Sequence, residues 1–311
     1  MKKFNSIIIL GPTGSGKTNL SIKLAKELNG EIVNADSMQI YKYFNIGTAK
    51  PTKEEQSGIK HHLMDFLEPT ENFSVSEFRH LCLDVCEKLI KEDKTPIIVG
   101  GTGFYIDSLL NNFSYANAEK NEAIREKYQN LYNEFGNEYI YNILKDVDEK
   151  SALKLHPNDV KRVIRALEIY EITKTNKSTL NSLDKTKQKA SFLKPLIIGL
   201  NYNRDKLYER INKRVDIMLE NGLLTEVEQL YKKYDKSLQA MKGIGYKELF
   251  NYFEGKSDLI EAIEKIKQNS RNYAKKQITW FKRNTNIKWF NKSDISESQI
   301  FKEVLSEFNK K

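Results

Sequence analysis

Four apolar residues, Ile7–Leu10, run without interruption into a turn of small residues. The segment after the turn places apolar side chains at Leu20, Ile22, Leu24, Ala25 and Leu28. An unbroken apolar run fits a strand buried on both faces, and the second spacing fits an amphipathic helix. "GEIVNADS" (Gly30–Ser37) predicts a second strand that ends in polar residues. Ser74 with Glu77 forms a capping-box pattern ahead of the helical run Phe78–Leu89. "TPIIVGGTGFYI" (Thr95–Ile106) predicts a third strand, a glycine turn and another helix start. Strands that alternate with helices indicate a parallel sheet covered on both faces.

The alternation breaks near Asn111, and from about Phe113 to Lys194 no strand of comparable strength occurs. Helical stretches take over at Glu122–Phe135, Glu138–Lys145 and Val160–Thr173. "KPLIIGL" (Lys194–Leu200) then restores a strand. Helices at Arg204–Glu220, Leu223–Tyr234 and about Asp258 to Arg283 follow, with a short strand at Ile287–Phe290. The economical organisation is a core formed by 1–112 and 195–311, interrupted by an all-helical insertion at 113–194.

Composition supports a soluble globular chain: of 311 residues, 39% are hydrophobic and 30% charged. No run reaches the roughly 18 apolar residues of a membrane span, so no membrane partner is expected. Met1-Lys2-Lys3 leads into a strand without a signal-peptide cleavage pattern. Cys82 and Cys86 give no disulfide framework, which makes the cytoplasm the simplest compartment. The net charge of +9 is uneven: residues 1–111 sum to −1, 112–195 to +3 and 196–311 to +7. A polyanionic partner such as nucleic acid would explain this, and so would a lysine-rich composition on solvated faces.

Gly11-Pro12-Thr13-Gly14-Ser15-Gly16-Lys17-Thr18 matches G-x-x-x-x-G-K-[ST] between a strand and a helix, the context that the motif requires. Its amides and the helix N-terminus would cradle phosphate, Lys17 would add a mobile charge, and the Thr18 hydroxyl would ligate Mg²⁺. The expected fold is therefore an α/β, P-loop NTPase-like parallel sheet with the helical insertion. Hydrolysing P-loop enzymes usually hold the metal with a second acid at the end of a neighbouring strand. Here "PIIVGGTG" ends in Gly-Gly-Thr, without a carboxylate. Strand-end glycines would admit a ligand close to the backbone, or simply form a tight strand–helix turn. Asp36 is the remaining acid facing the same crevice, with metal ligation, capping and general-base roles all open. His61 and His62 are expected in packing or loop hydrogen bonds, and the two cysteines in helix packing, since no further Cys/His completes a metal set.

Seven segments together resemble the tRNA dimethylallyltransferase (tRNA isopentenyltransferase) family. They are "GPTGSGKT", "ADSMQIYKYFNIGTAKP" (Ala35–Pro51), "HHLMDFLEP" (His61–Pro69), "VGGTGFYIDSLL" (Val99–Leu110), "HPNDVKRVIRALE" (His156–Glu168), "GIGYKEL" (Gly243–Leu249) and "YAKKQITWFKR" (Tyr273–Arg283). They fall in the family's order and cover nearly the whole chain. The resemblance implies transfer of a dimethylallyl group from dimethylallyl diphosphate to N6 of the adenine immediately 3′ to the anticodon of tRNA. Asp36 would be the general base and Thr102 would lie beside the adenine. Gly11 to Thr18, Lys17, Mg²⁺ on Thr18, and Arg214 would receive the leaving pyrophosphate. Contacts to the tRNA anticodon stem-loop are implied for Asp36, Ser37, Met38, Gln39, Thr102, Arg125, Lys161, Arg162, Arg165, Lys242, Gly245, Tyr246, Lys247, Lys275, Lys276, Gln277, Trp280 and Lys282.

Lys276 and Lys282 depart from the family, where arginine is more common, which makes any phosphate contact less fork-like. No Cys/His cluster follows the last helix, so no zinc is expected, and nothing demands more than a monomer. Lys267, Arg271 and Lys275 recur every four residues along the long helix and would share one face. The basic and aromatic mixture around Trp280 and Phe281 weighs toward RNA. An adenylate isopentenyltransferase acting on free AMP, ADP or ATP, a P-loop small-molecule kinase, and a nucleotide-gated RNA-binding protein are the rival readings. The helical insertion and basic C-terminal half weigh against the first of these.

Overall fold

The computed structural model describes residues 3–110, 121–174 and 192–310. They fold as two compact units, residues 1–110 with 191–311, and residues 111–190. The expected junction at 112/113 lies outside the described residues. Residues 192–194 go with the sheet unit because Asn5 holds them: its Nδ2 donates to Phe192 O at 2.7 Å, and its Oδ1 accepts from Lys194 N–H at 2.8 Å.

In the sheet unit, β1 (Ser6–Leu10) leads into α1 (Lys17–Glu27), then β2 (Gly30–Asn34), α2 (Lys53–Gln56) and β3 (His61–His62). After these come α3 (Val75–Lys91), β4 (Thr95–Gly100) and α4 (Gly103–Leu110). The helical unit contains α5 (Glu122–Phe135), α6 (Asn137–Val147), α7 (Glu149–Ala152) and α8 (Val160–Thr173). The sheet unit resumes with β5 (Pro195–Asn201), α9 (Arg204–Glu220), α10 (Leu223–Lys233), α11 (Tyr246–Phe253), α12 (Leu259–Phe281), β6 (Lys288–Asn291) and α13 (Glu297–Phe308).

The six strands pair in parallel in the order β3-β2-β4-β1-β5-β6, as the alternation of strand and helix predicts. Ile7 and Ile9 face a core shared with Leu20 and Leu24 of α1 and with Ile300, Val304 and Phe308 of α13. Ile8, Val33 and Ile98 alternate to the other face and are equally buried, and α3 packs against β2 and β4. Such double burial explains why the strands read as unbroken apolar runs. Helix α3 begins at the expected capping box, with Ser74 Oγ accepting from Glu77 N–H and the Glu77 carboxylate from Ser74 N–H. In the helical unit, Tyr128, Ile140, Leu144, Val163 and Leu167 form a separate small core.

Register decides what the sheet presents. Leu10 pairs with Gly100 and Asn34 with Val99, so β1, β2 and β4 all end at one edge of the sheet. The residues that emerge there are Gly11, Asp36 and Thr102. In open α/β sheets this carboxyl edge is where ligands bind.

At the glycines of the turn after β4, the space that a side chain would take is filled by protein. A Cβ on Gly100 would sit 2.1 Å from Ala35 O, one on Gly101 2.2 Å from Gln277 Nε2, and one on Gly103 2.6 Å from the Trp280 ring. The space beside each is therefore filled by protein. Gly100→Ala meets rigid backbone, and we expect it to cost about 2 kcal/mol or more of stability. Urea unfolding of the variant checks this; an unchanged midpoint would contradict the packing assigned to Gly100.

Candidate active site

The phosphate loop follows from local chain geometry. Gly14 and Gly16 take φ values of 78° and 82°, open to glycine at little cost, and they turn the backbone into the N-terminus of α1. Lys17 Nζ folds back onto its own loop and donates to Gly11 O at 3.0 Å and Pro12 O at 2.9 Å. Burial, and then the neighbouring Arg214, pull its pKa down to about 8 against the opposing pull of Asp36. Arg214 projects from α9 and donates from Nη1 to Thr13 Oγ1 at 3.0 Å. Burial lowers its pKa too, again opposed by Asp36. Ser15 Oγ is buried without a hydrogen-bond partner among the described residues. A cradle with an orphaned hydroxyl and two desolvated cations suits a multiply charged anion.

Two further cations surround the loop that the sequence reading missed. Arg210 Nε donates to Gly14 O at 3.0 Å, and Lys292, paired with Glu297 at 2.8 Å, brings its Nζ against Gly16. Arg210 lies one helical turn before Arg214, a spacing that could have drawn attention to it. Lys292 is remote in sequence and gives no such signal.

Asp36 stands just beyond the end of β2. Asn34 fixes it from both sides, accepting the Asp36 N–H on Oδ1 and donating from Nδ2 to Asp36 O, each at 3.1 Å. Asp36 Oδ1 accepts from Met38 N–H at 2.9 Å, which makes an Asx turn, and since no helix begins after Asp36 the side chain is not a helix N-cap. Its charge reaches Lys17 and Arg214 from the same crevice. Thr102 Oγ1 accepts from Ser37 N–H at 3.0 Å and donates to Ser37 Oγ at 3.2 Å, which locks the turn after β4 to the loop after β2. Tyr273 of α12, not singled out from the sequence, brings its hydroxyl into the neighbourhood of Asp36, Thr102 and Gln277. Burial and the Asp36 charge hold that phenol above its usual range.

The residues expected to meet RNA divide into two groups. Lys242, Lys247, Lys275, Lys276 and Lys282 are exposed in the sheet unit, as are Lys161 and Arg162 in the helical unit. Arg162 pairs locally with Asp159 at 3.2 Å. Other residues of the set are buried or half-buried and are held by contacts within the protein. Tyr246 is fully buried and donates its hydroxyl to Glu226 at 2.8 Å, while the neighbouring Gly245 is buried too. Trp280 packs against Phe104 and donates to Asp107 Oδ2 at 2.8 Å. Gln277 is buried between the phosphate loop and Gly101. Gln39 donates to Thr48 O and Ala49 O, and Met38 packs on Gly243. Arg125 and Arg165 both grip the buried Glu168, at 2.9 and 2.6 Å.

Lys267 pairs with Asp216 at 2.9 Å and Arg271 with Asn212 at 2.6 Å, so two of the three residues expected on a basic stripe hold α12 to α9 instead. Glu226 escaped the sequence reading. Its carboxylate accepts from Asn45, Ile46 and Gly47 N–H and from Tyr246, tying the loop after Asp36 to α10 and α11. His61 and His62 make the expected hydrogen bonds, to Ile59 O and Glu31, and both cysteines are buried and unbridged.

A P-loop on a parallel sheet, with an acid and a threonine on adjoining strand ends, defines a group-transfer enzyme of the P-loop NTPase-like class. The family profile described as IPP transferase matches residues 39–284. The chain is 48% identical over 303 residues to a tRNA dimethylallyltransferase of Acetivibrio thermocellus, covering 96% of each. It is 46% identical over 310 residues to one of Alkaliphilus oremlandii, covering 99% of this chain and 98% of that one. Among solved structures it resembles the tRNA isopentenylpyrophosphate transferase of Bacillus halodurans, with a TM-score of 0.72 and 38% identity over 98% of this chain and 97% of that one. It also resembles a eukaryotic dimethylallyltransferase described as acting on tRNA, with a TM-score of 0.84 and 32% identity, over 97% of this chain and 78% of that chain. The chain belongs to the IPP transferase family.

The charge state of Lys17 gives a testable consequence. Below about pH 8 the loop carries a protonated Lys17, and above it the ammonium is progressively lost. We therefore expect pyrophosphate affinity, followed by isothermal titration calorimetry, to weaken as the pH rises through about 8. Lys17→Met should bind weakly and flatten that decline; a wild-type profile no steeper than the variant's would refute the assignment.

Proposed function

We infer that the protein transfers a dimethylallyl group from dimethylallyl diphosphate to N6 of the adenine immediately 3′ of the anticodon in tRNA. The products are N6-dimethylallyladenosine and pyrophosphate. The observation that carries this reading is the placement of Asp36, a carboxylate facing the phosphate-loop cations with Thr102 and Ser37 beside it. That arrangement provides a diphosphate cradle on one side of the crevice and a proton acceptor on the other.

In the reaction, the bond between the allylic carbon and the diphosphate oxygen breaks as the bond from the same carbon to adenine N6 forms. The electron pair leaves with pyrophosphate, and the N6 proton passes to Asp36, whose Oδ2 makes no hydrogen bond among the described residues. Lys17, Arg214, the Ser15 hydroxyl and the loop amides stabilise the charge that gathers on the leaving group. Thr102, held to Ser37, gives the edge of the adenine a hydroxyl to meet.

Mg²⁺ fits the donor set at one point, the Thr18 hydroxyl. Among the described residues no group of three His, Cys, Asp or Glu is arranged to hold a metal, so most of its ligands would be substrate oxygens. When bound, it would neutralise charge on the diphosphate. The exposed Lys242, Lys247, Lys275, Lys276 and Lys282 supply cations for RNA phosphates. An adenine in a stacked loop must be flipped outward to enter such a crevice.

Incubation with labelled dimethylallyl diphosphate and unmodified tRNA, with AMP and ATP in parallel, tests this reading. Label should enter tRNA alone; label in AMP but not in tRNA, or ATP turnover to ADP, would overturn it. Asp36→Ala should slow transfer by about 10²-fold or more while tRNA affinity stays close to that of the wild type. A rate within a few-fold of wild type would remove Asp36 as the base.

A further inference from the structure

The geometry points to Gln277 as a positioning residue that sets the diphosphate loop against the turn carrying Thr102. This rests on the transfer reading for its consequence, but its structural ground is independent of that reading. Gln277 lies on α12, the helix that also bears Lys275, Lys276 and Lys282, and is only 6% exposed. Its Oε1 accepts from Thr13 N–H at 3.0 Å, and its Nε2 donates to Gly101 O at 2.9 Å.

The two backbone partners fix the orientation of the amide, because an N–H can only donate and a carbonyl can only accept. One side chain therefore spans from the loop after β1 to the turn after β4, and it needs a donor at one end and an acceptor at the other. The fit is close: a Cβ on Gly101 would stand 2.2 Å from Nε2, so the turn has no room for a side chain while Gln277 is in place.

Thr13 is held twice, its hydroxyl by Arg214 and its amide by Gln277. Fixing that amide sets the path of the chain into Gly14, Ser15 and Gly16, whose N–H groups and hydroxyl face the phosphates. On the same side chain, the bond to Gly101 holds the residue directly before Thr102. Gln277 thus fixes the separation between the leaving group and the adenine while touching neither. Trp280, one turn further along α12, donates to Asp107 of α4 and braces the helix in this position.

The amide can be dissected chemically. Gln277→Glu keeps the size and the acceptor for Thr13 N–H, but when ionised it turns a carboxylate toward Gly101 O. Protonated, the same group regains a donor for that carbonyl. Its defect should therefore fade as the pH falls, which a purely space-filling role would not produce. Gln277→Leu removes both bonds and leaves two buried backbone groups unpaired.

Wild type, Gln277→Leu and Gln277→Glu are compared with inorganic pyrophosphate and Mg²⁺ by calorimetry, and with dimethylallyl diphosphate and tRNA in steady-state transfer. We expect Gln277→Leu to bind pyrophosphate roughly tenfold or more weakly, with tRNA affinity within about twofold of wild type. For Gln277→Glu, the KM for dimethylallyl diphosphate relative to wild type should rise as the pH passes upward through the ionisation of the carboxyl, which burial moves above the ordinary glutamate range. Pyrophosphate binding by Gln277→Leu equal to wild type overturns the inference. So does a Gln277→Glu defect whose ratio to wild type stays constant with pH. A wild type that binds pyrophosphate but transfers nothing to tRNA overturns the transfer reading instead, and the pyrophosphate titrations then decide the role of Gln277 alone.

Discussion

Lys17 and Arg214 carry like charges into one buried corner, where Asp36 is the acid that opposes both. Burial disfavours each cation, and each raises the cost of charging the other. Asp36, joined by Glu55 at Arg214, offsets only part of this. The corner is therefore unsettled without an anion, and a diphosphate would satisfy it better than any side chain present. Much of the surrounding fold consists of devices that keep the two cations from swinging out to water. Lys17 is folded onto Gly11 O and Pro12 O, and Arg214 is held on the Thr13 hydroxyl. The helix that carries Arg214 is clamped to α12 by the pairs Lys267–Asp216 and Arg271–Asn212.

This explains why the strand-end glycines are closed by protein. A loose edge would let water reach Lys17 and screen its interaction with the leaving group. Instead, Ala35, Gln277 and Trp280 fill the space against Gly100, Gly101 and Gly103. The close approach of backbones at Gly100 sets Ala35, which precedes Asp36, directly against the end of β4 that leads to Thr102. The absence of a side chain thus serves the geometry of the site indirectly, through what packs against it.

The sheet was legible because its strands are buried on both faces and its helices follow with clear spacing and caps. The phosphate loop, Asp36, Thr102 and Arg214 could be located because each is tied to a motif or a strand end. Other features left weaker traces. β3 has two residues, too few for any periodicity. α13 did carry the spacing Ile300, Val304, Phe308, but nothing chemical drew attention to it. The harder failures concern side-chain direction. Gln277, Tyr246 and Trp280 occur among lysines in sequence, yet they project from the buried faces of their helices. Position in a basic segment does not tell which face of a helix a residue occupies. Glu226 and Lys292 act across long sequence separations, so a single sequence offers no sign of their partners.

Two of these long-range contacts bear on how transfer is favoured over hydrolysis. A P-loop that hydrolyses a phosphoanhydride needs a water positioned in line with the terminal phosphorus, usually with help from an acid or amide on the adjoining strand. Here the adjoining strand β4 ends in the Gly100–Gly101 turn, and that turn is occupied by the Gln277 amide, whose hydrogen bonds are already taken by protein. The acid lies instead at the end of β2, beyond β4 in the sheet, where the Glu226 clamp holds the following loop against α10 and α11. On the transfer reading, an arriving diphosphate takes over the charge balance that Asp36 supplies to Lys17 and Arg214 from across the crevice. The carboxylate is then left facing the substrate side of the crevice, available to a proton from the attacking amine. The charge that completes the phosphate cradle thereby offsets the field of the two cations on Asp36, which links occupancy of the cradle to the acid across the crevice.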